Sequence, residues 1–183
     1  MPVETTISAS EIWNKASVSG LLLGAVTVLF MLVQEFLIPE LSQGGSFGGN
    51  LLGSISGILL KIAKIAVCLL LLRNFLKRFA AGFPTVTNAR VAGYGIKIAL
   101  FSSLIVTAYF VADILFVNPE QYTEAFNTLT QQYSSTMDAN TLSALDGMMA
   151  RMPLVGGITT FLYCFVWGWI ASLVMSRDIP SGV

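Results

Sequence analysis

The 183 residues are 55% apolar and only 11% charged, with a mean hydropathy of +0.75, whereas soluble domains carry about 25% charged side chains; too little polar material is present to cover a water-facing globule. Ten basic residues balance ten acidic ones, so the chain lacks the basic footprint of a nucleic-acid binder. With two cysteines and no histidine it has neither the close Cys/His spacing of a zinc site nor an imidazole for acid–base chemistry, and no metal or cofactor is expected.

The first apolar run, Ser17 to Ile38, contains Glu35 as its single formal charge. About 20 residues suffice to cross the hydrocarbon, so it reads as a transmembrane helix over 17–38. It is preceded by Glu4 and Glu11 rather than a basic segment and is longer than a signal-peptide core, so it is expected to stay attached. Gly20, Gly24, Thr27, Met31, Gln34 and Glu35 form a small or polar stripe along it. A connector rich in Gly and Ser follows, from Ser42 to Asn50.

The second run predicts a helix over 51–72, interrupted by Lys61 and Lys64. Gly53, Gly57, Lys61, Lys64 and Cys68 share one arc at 100° per residue. Lys64 can snorkel toward the nearer interface, whereas Lys61 shares its face with the glycines and is expected to point into the bundle. After this run, Asn74 to Asn88 interleaves Phe75, Phe79 and Phe83 with Lys77 and Arg78. That mixture suits a loop in the headgroup layer or a docking site for a cytoplasmic partner. Arg73, Lys77, Arg78 and Arg90 are the candidate lipid or partner contacts.

The third run predicts a helix over 95–117, with Lys97 near its start and Asp113 near its end. Gly95, Ala99, Ser102, Tyr109 and Asp113 align on one side. A 36-residue insert, 118–153, follows; so long a connection usually has structure or function. Asn118-Pro119-Glu120 reads as a helix N-cap, a proline at the first helical position and an acid in the first turn. Tyr122, Ala125, Phe126, Leu129 and Tyr133 then recur at helical spacing, and a second short helix is expected from Thr141 to Met152. Both short helices either cap the bundle or lie on the membrane surface.

The fourth run predicts a helix over 154–175 with no formal charge, and Gly157, Thr160, Cys164, Gly168 and Ser172 on one stripe. Small residues four apart let helices approach closely in a bilayer, so Gly20, Gly24, Gly53, Gly57 and Gly168 are the expected packing positions. Cys68 and Cys164 fall about seven residues apart in depth, about 10 Å, too far for a disulfide.

The whole is thus an all-α, single-domain integral membrane four-helix bundle with a short helical insert between its third and fourth spans. Lysine and arginine cluster at the termini and between the second and third runs, which by the positive-inside rule predicts both ends of the chain in the cytoplasm. Intramembrane ionisable residues mark either buried ion pairs or functional paths, making Glu35, Lys61, Lys64 and Asp113 a candidate polar site. Pairing of Lys61 with Asp113 or Glu35 would require the second helix to start a few residues later. The acids themselves echo one another: Glu35 lies shortly before Pro39-Glu40, and Asp113 shortly before Pro119-Glu120.

The segments Trp13-Asn-Lys-Ala-Ser-Val-Ser-Gly20-Leu-Leu-Leu-Gly24 and Tyr94-Gly95-Ile-Lys97-Ile-Ala99 resemble the domain-of-unknown-function family 4199, small four-helix membrane proteins of Bacteroidota. The Asn118-Pro119-Glu120 exit, the helical insert and the terminal Ser176-Arg177-Asp178 fit the same pattern, while Lys61 and Lys64 are not part of it. The resemblance implies a bacterial inner-membrane protein without assigned activity. With no nucleophile motif or glycine-rich phosphate loop, a non-enzymatic scaffold or accessory subunit is expected, contacting the lipid bilayer and a protein partner or further copies of itself. The alternative is a small transporter or lipid-handling protein using the region around Lys61 and Asp113.

Overall fold

In the computed structural model the described residues are 8–42, 47–83, 86–133, 138, 140, 141, 147 and 151–179, with the backbone alone described for 37–42, 47–54, 129 and 133. Among them no strand occurs, and four long helices dominate: α1 (Ala9–Ser42), α2 (Phe47–Gly82), α3 (Asn88–Ala112) and α5 (Met152–Arg177), with a shorter α4 (Pro119–Tyr133) between the last two. The spans Ala9–Phe36, Ile55–Gly82, Asn88–Val117 and Met152–Arg177 are long and apolar enough to cross a membrane. The four expected spans are therefore present, and each helical segment begins before its apolar run.

The largest extension corrects the expected loop between Asn74 and Asn88. Helix α2 continues to Gly82, and residues 83–87 alone separate it from α3. The reason is a buried face. Leu76 and Phe79 are enclosed, and Phe79 stacks on Tyr94 of α3 with ring centroids 4.1 Å apart and 9° between planes. Arg73, Lys77 and Arg78 project from the exposed side of the same helical end, and Arg90 from the first turn of α3. The first connector is likewise shorter than expected, since α1 runs to Ser42 and α2 starts at Phe47; residues 43–46 lie outside the described set.

Helix α3 occupies the centre. It packs closely on α1 along one side and on α5 along another, whereas α2 leans chiefly on α1. Backbone proximity explains the small residues. A Cβ on Gly20 would lie 2.5 Å from Phe101 Cβ and 2.8 Å from the Ile98 carbonyl oxygen; one on Gly24 would lie 2.8 Å from Ile105 Cβ. On the other side a Cβ on Gly168 would meet Ala99 Cβ at 2.6 Å, and one on Gly95 would meet Ser172 Oγ at the same distance. Gly57 is half-buried, and the surroundings of Gly53 fall outside the described residues.

The polar ends of the helices separate by charge. The start of α1, the end of α2, the start of α3 and the end of α5 form a basic end with Lys15, Arg73, Lys77, Arg78, Arg90, Lys97 and Arg177. Its core joins Ala16, Leu72, Leu76, Phe79, Val91, Tyr94 and Ile179. The Tyr94 hydroxyl shares a hydrogen bond with Ser19 Oγ at 2.9 Å and donates to the Lys15 carbonyl at 3.3 Å. Lys15 also pairs with Glu11 at 2.9 Å and lies over the Phe83 ring, and Lys97 lies over the Trp13 ring. The two segments centred on Trp13–Gly24 and Tyr94–Ala99 thus face each other.

The close contacts set a stability prediction. Gly20→Ala and Gly168→Ala should each destabilise the bundle by roughly 1–3 kcal/mol through overpacking. Gly93→Ala, where a Cβ meets nothing within 4 Å, should not destabilise it. Thermal unfolding of the three variants in one detergent checks the contrast, and equal melting of all three would contradict the close approach.

Candidate functional site

At the opposite, acidic end the chain brings Glu35 and Asp113 together. Asp113 is the first residue of the π-helical turn that follows α3, Asp113–Val117, closed by the Asn118 N–H donating to the Asp113 carbonyl at 2.9 Å. Such a turn holds one residue more per hydrogen-bonded ring than an α-helix. Pro119 has no N–H with which to continue the helix, and it opens α4 instead.

Asn118 occupies the expected N-cap position, its carbonyl accepting the Tyr122 N–H. Its side-chain amide has another role. The Asn118 Nδ2 donates to Asp113 Oδ1 at 2.8 Å and also to Glu35 Oε1. Tyr109 Oη donates to Glu35 Oε2 at 2.8 Å, and Tyr122 Oη donates to Asp113 Oδ2 at 2.7 Å. Both oxygens of both carboxylates therefore receive a donor. The resemblance between the two acid-to-proline exits acquires a spatial meaning, because the two acids end side by side on α1 and α3. Tyr122 also meets Phe110 edge-on, with centroids 6.5 Å apart, so the same cluster fastens α4 to the bundle.

Neither lysine of the candidate site joins them. Among the described residues the ion pair closer than 4.0 Å is Lys15–Glu11. Lys61, expected to face the bundle, is exposed among Ile58, Leu59, Ile62 and Ile65. The packed arc of α2 at this level runs through Leu60, Lys64 and Val67, and Lys61 lies about 100° round from Leu60. The expected pairing with Asp113 or Glu35 is replaced by tyrosine and asparagine donors. Those donors had a partial signal in the sequence: Tyr109 sits one helical turn before Asp113 on the same stripe. Asn118 gave none beyond its capping pattern.

Lys64 contributes to a different feature. A partly open cavity of about 200 Å³ lies between α1, α2, α3 and α5. Thr27, Lys64, Cys68, Val106, Cys164 and Trp167 are on its wall. It exists where α2 and α5 meet little, with the closely packed Ala99 and Gly168 also on its wall. Both thiols are free, and Cys68 Sγ lies 3.4 Å from Thr27 Oγ1. The expected separation of the cysteines in depth still puts both on one cavity wall.

In the insert, α4 is confirmed over Pro119–Tyr133. Of the second short helix expected from Thr141 to Met152, Thr141 and Gly147 are helical, as is Asn140, and Met152 already begins α5; the remainder lies outside the described residues. Asp138 Oδ1 accepts the Thr141 N–H at 2.9 Å, the geometry of an N-cap. No group of three or more Cys, Asp or Glu residues able to hold a metal ion occurs among the described residues.

The acidic cluster carries two linked predictions. Asn118→Leu leaves two carboxylate oxygens without their donor and should cost about 1–3 kcal/mol, read from chemical unfolding in detergent; unchanged stability would mean that the amide does not hold the two helices. Burial, and then the hydrogen bond to Asp113, raise the Tyr122 phenol above its ordinary pKa. The folded state thus holds this proton more tightly than the unfolded chain does. Its contribution is fully present below pH of about 10, the unfolded value, and is lost as pH rises further. A pH series should show Tyr122→Phe with a weaker alkaline loss of stability than the native chain.

Comparison with protein-family models, with curated proteins and with solved structures found no match, so the functional reading rests on this geometry and on the sequence.

Proposed function

We propose that the protein is a non-enzymatic accessory or scaffold subunit of a membrane complex, docked to a partner through the outward face of α2. The observation that carries this reading is Lys61. It lies at the middle of the apolar run 51–72 and is exposed on an otherwise apolar face. A lysine near the bilayer centre costs about 2.5–3.5 kcal/mol on insertion scales, less where it snorkels. A partner helix with a carboxylate at the same depth would offset that cost. Such a carboxylate favours a different protein over a second copy of this chain, because Glu35 and Asp113 are already bonded within it.

The basic end supports a bacterial inner-membrane protein with that end, and both termini, in the cytoplasm. The resemblance to domain-of-unknown-function family 4199 supports the same location. Arg73, Lys77, Arg78 and Arg90 then meet anionic headgroups or a cytoplasmic segment of the partner.

Two experiments test this. In a chain with Cys68→Ser and Cys164→Ser, an impermeant maleimide applied to intact cells should label Thr123→Cys and leave Ser10→Cys unlabelled; the reverse pattern would overturn the orientation. A protein that co-purifies with the native chain at fixed stoichiometry in mild detergent should be lost by roughly tenfold or more, about 1.4 kcal/mol, on Lys61→Leu, while Lys64→Leu retains it. Equal recovery with both variants, or a Lys61-dependent partner that proves to be a second copy, would reject this docking surface.

A further inference from the structure

The cavity beside Lys64 goes beyond partner docking and stands independently of Lys61. Four helices contribute to its wall, whose lining side chains are apolar apart from the hydroxyls of Thr27 and Ser102, the Trp167 indole N–H, the two thiols and one ammonium. Lys64 lies eight residues from Leu72, the nearer end of the apolar run 51–72, about 12 Å along the helix at 1.5 Å per residue. No hydrogen bond or ion pair reaches its Nζ among the described residues. Several other intramembrane polar groups are answered, Thr27 by the Leu23 carbonyl, Ser103 by Leu100, Ser172 by Gly168 and Glu35 by Tyr109, while the uncharged Thr107 hydroxyl is buried without a partner. Lys64, by contrast, is a half-buried cation left without an anion at the edge of an apolar cavity.

The geometry points to a binding site for a single-chain carboxylic acid, with the carboxylate on Lys64 Nζ and the first part of the chain in the cavity. The volume, about 200 Å³, is below that of ordinary ligand pockets and leaves no room for a second acyl chain. The remainder of the chain would leave through the gap where α2 and α5 scarcely touch. Depth selects the headgroup. A carboxylic acid can reach an apolar site in its neutral form, escaping the cost of carrying a charge through hydrocarbon, and then pair with the lysine. A phosphate monoester keeps more than one negative charge at pH 7 and is excluded by the same cost.

Cys68 and Cys164 line the cavity and are free, so they report its occupancy without any added label. The test is alkylation of the purified native chain in lipid nanodiscs by N-ethylmaleimide, followed at each thiol by mass spectrometry. Palmitate should slow alkylation of both thiols by roughly tenfold, the equivalent of about 1.4 kcal/mol. Hexadecanol and hexadecyl phosphate should not. Lys64→Gln should abolish the protection by palmitate, and Lys61→Gln should retain it. Absence of protection, equal or stronger protection by hexadecanol or by hexadecyl phosphate, or full protection of Lys64→Gln would each overturn the assignment. If Lys64→Gln does not fold, the comparison of palmitate with hexadecanol on the native chain decides the matter.

Discussion

Helices inside a bilayer gain nothing by moving apolar surface from lipid to protein, so their association depends on how closely their backbones approach. Helix α3 meets that requirement on two sides at once. Gly20 and Gly24 let α1 settle against Ile98, Phe101 and Ile105, while Gly168 of α5 lies against Ala99 and Gly95 of α3 lies against Ser172. Everything else in the molecule is arranged around that three-helix contact. Helix α2, which lacks a comparable approach to α5, is held by its later half through Leu72, Leu76 and Phe79, and the space it leaves is the cavity beside Lys64.

The two ends of the bundle solve the same problem with different chemistry. At the basic end, cations lie over aromatic rings and an inter-helix tyrosine is fully bonded, so charge is kept near the surface and dispersed. At the acidic end, two carboxylates share one amide and two phenols. Against these two bonded clusters, Lys61 and Lys64 stand out for opposite reasons. One faces away from the bundle and the other borders an internal space, although they are a single helical turn apart. Treating them as one polar site with Glu35 and Asp113 joins residues that the fold keeps separate.

The spans, the seam of small residues and the helix after Pro119 were legible in the sequence because each rests on local periodicity. A 22-residue apolar run or a glycine four residues from another glycine carries its meaning within one helix. The side of α2 that Lys61 occupies was not legible in this way. Its arc was drawn from glycines nearer the start of the helix, yet the packed arc is set by contacts with α1 and α3 that no pattern within α2 encodes. The continuation of α2 to Gly82 was hidden for a related reason: Lys77 and Arg78 lower the hydropathy, while Phe79 earns its place by stacking on a tyrosine beyond the next turn. The Asn118 bridge was hidden because capping and cross-linking use the same residue type.

The π-helical turn at Asp113–Val117 has a consequence for how the chain tolerates changes of length. It is a register device located at the boundary between the packed spans and α4. Removing one residue within it would turn α4 by about 100° about its axis and carry Tyr122 away from Asp113, while the contacts of α3 with α1 and α5 stayed as they are. Loss or gain of a residue further along, between α4 and α5, has no such leverage, since Tyr122 and Asn118 already lie upstream. The direction in which this helix faces is thus decided by the number of residues in a single turn, independently of the architecture beneath it.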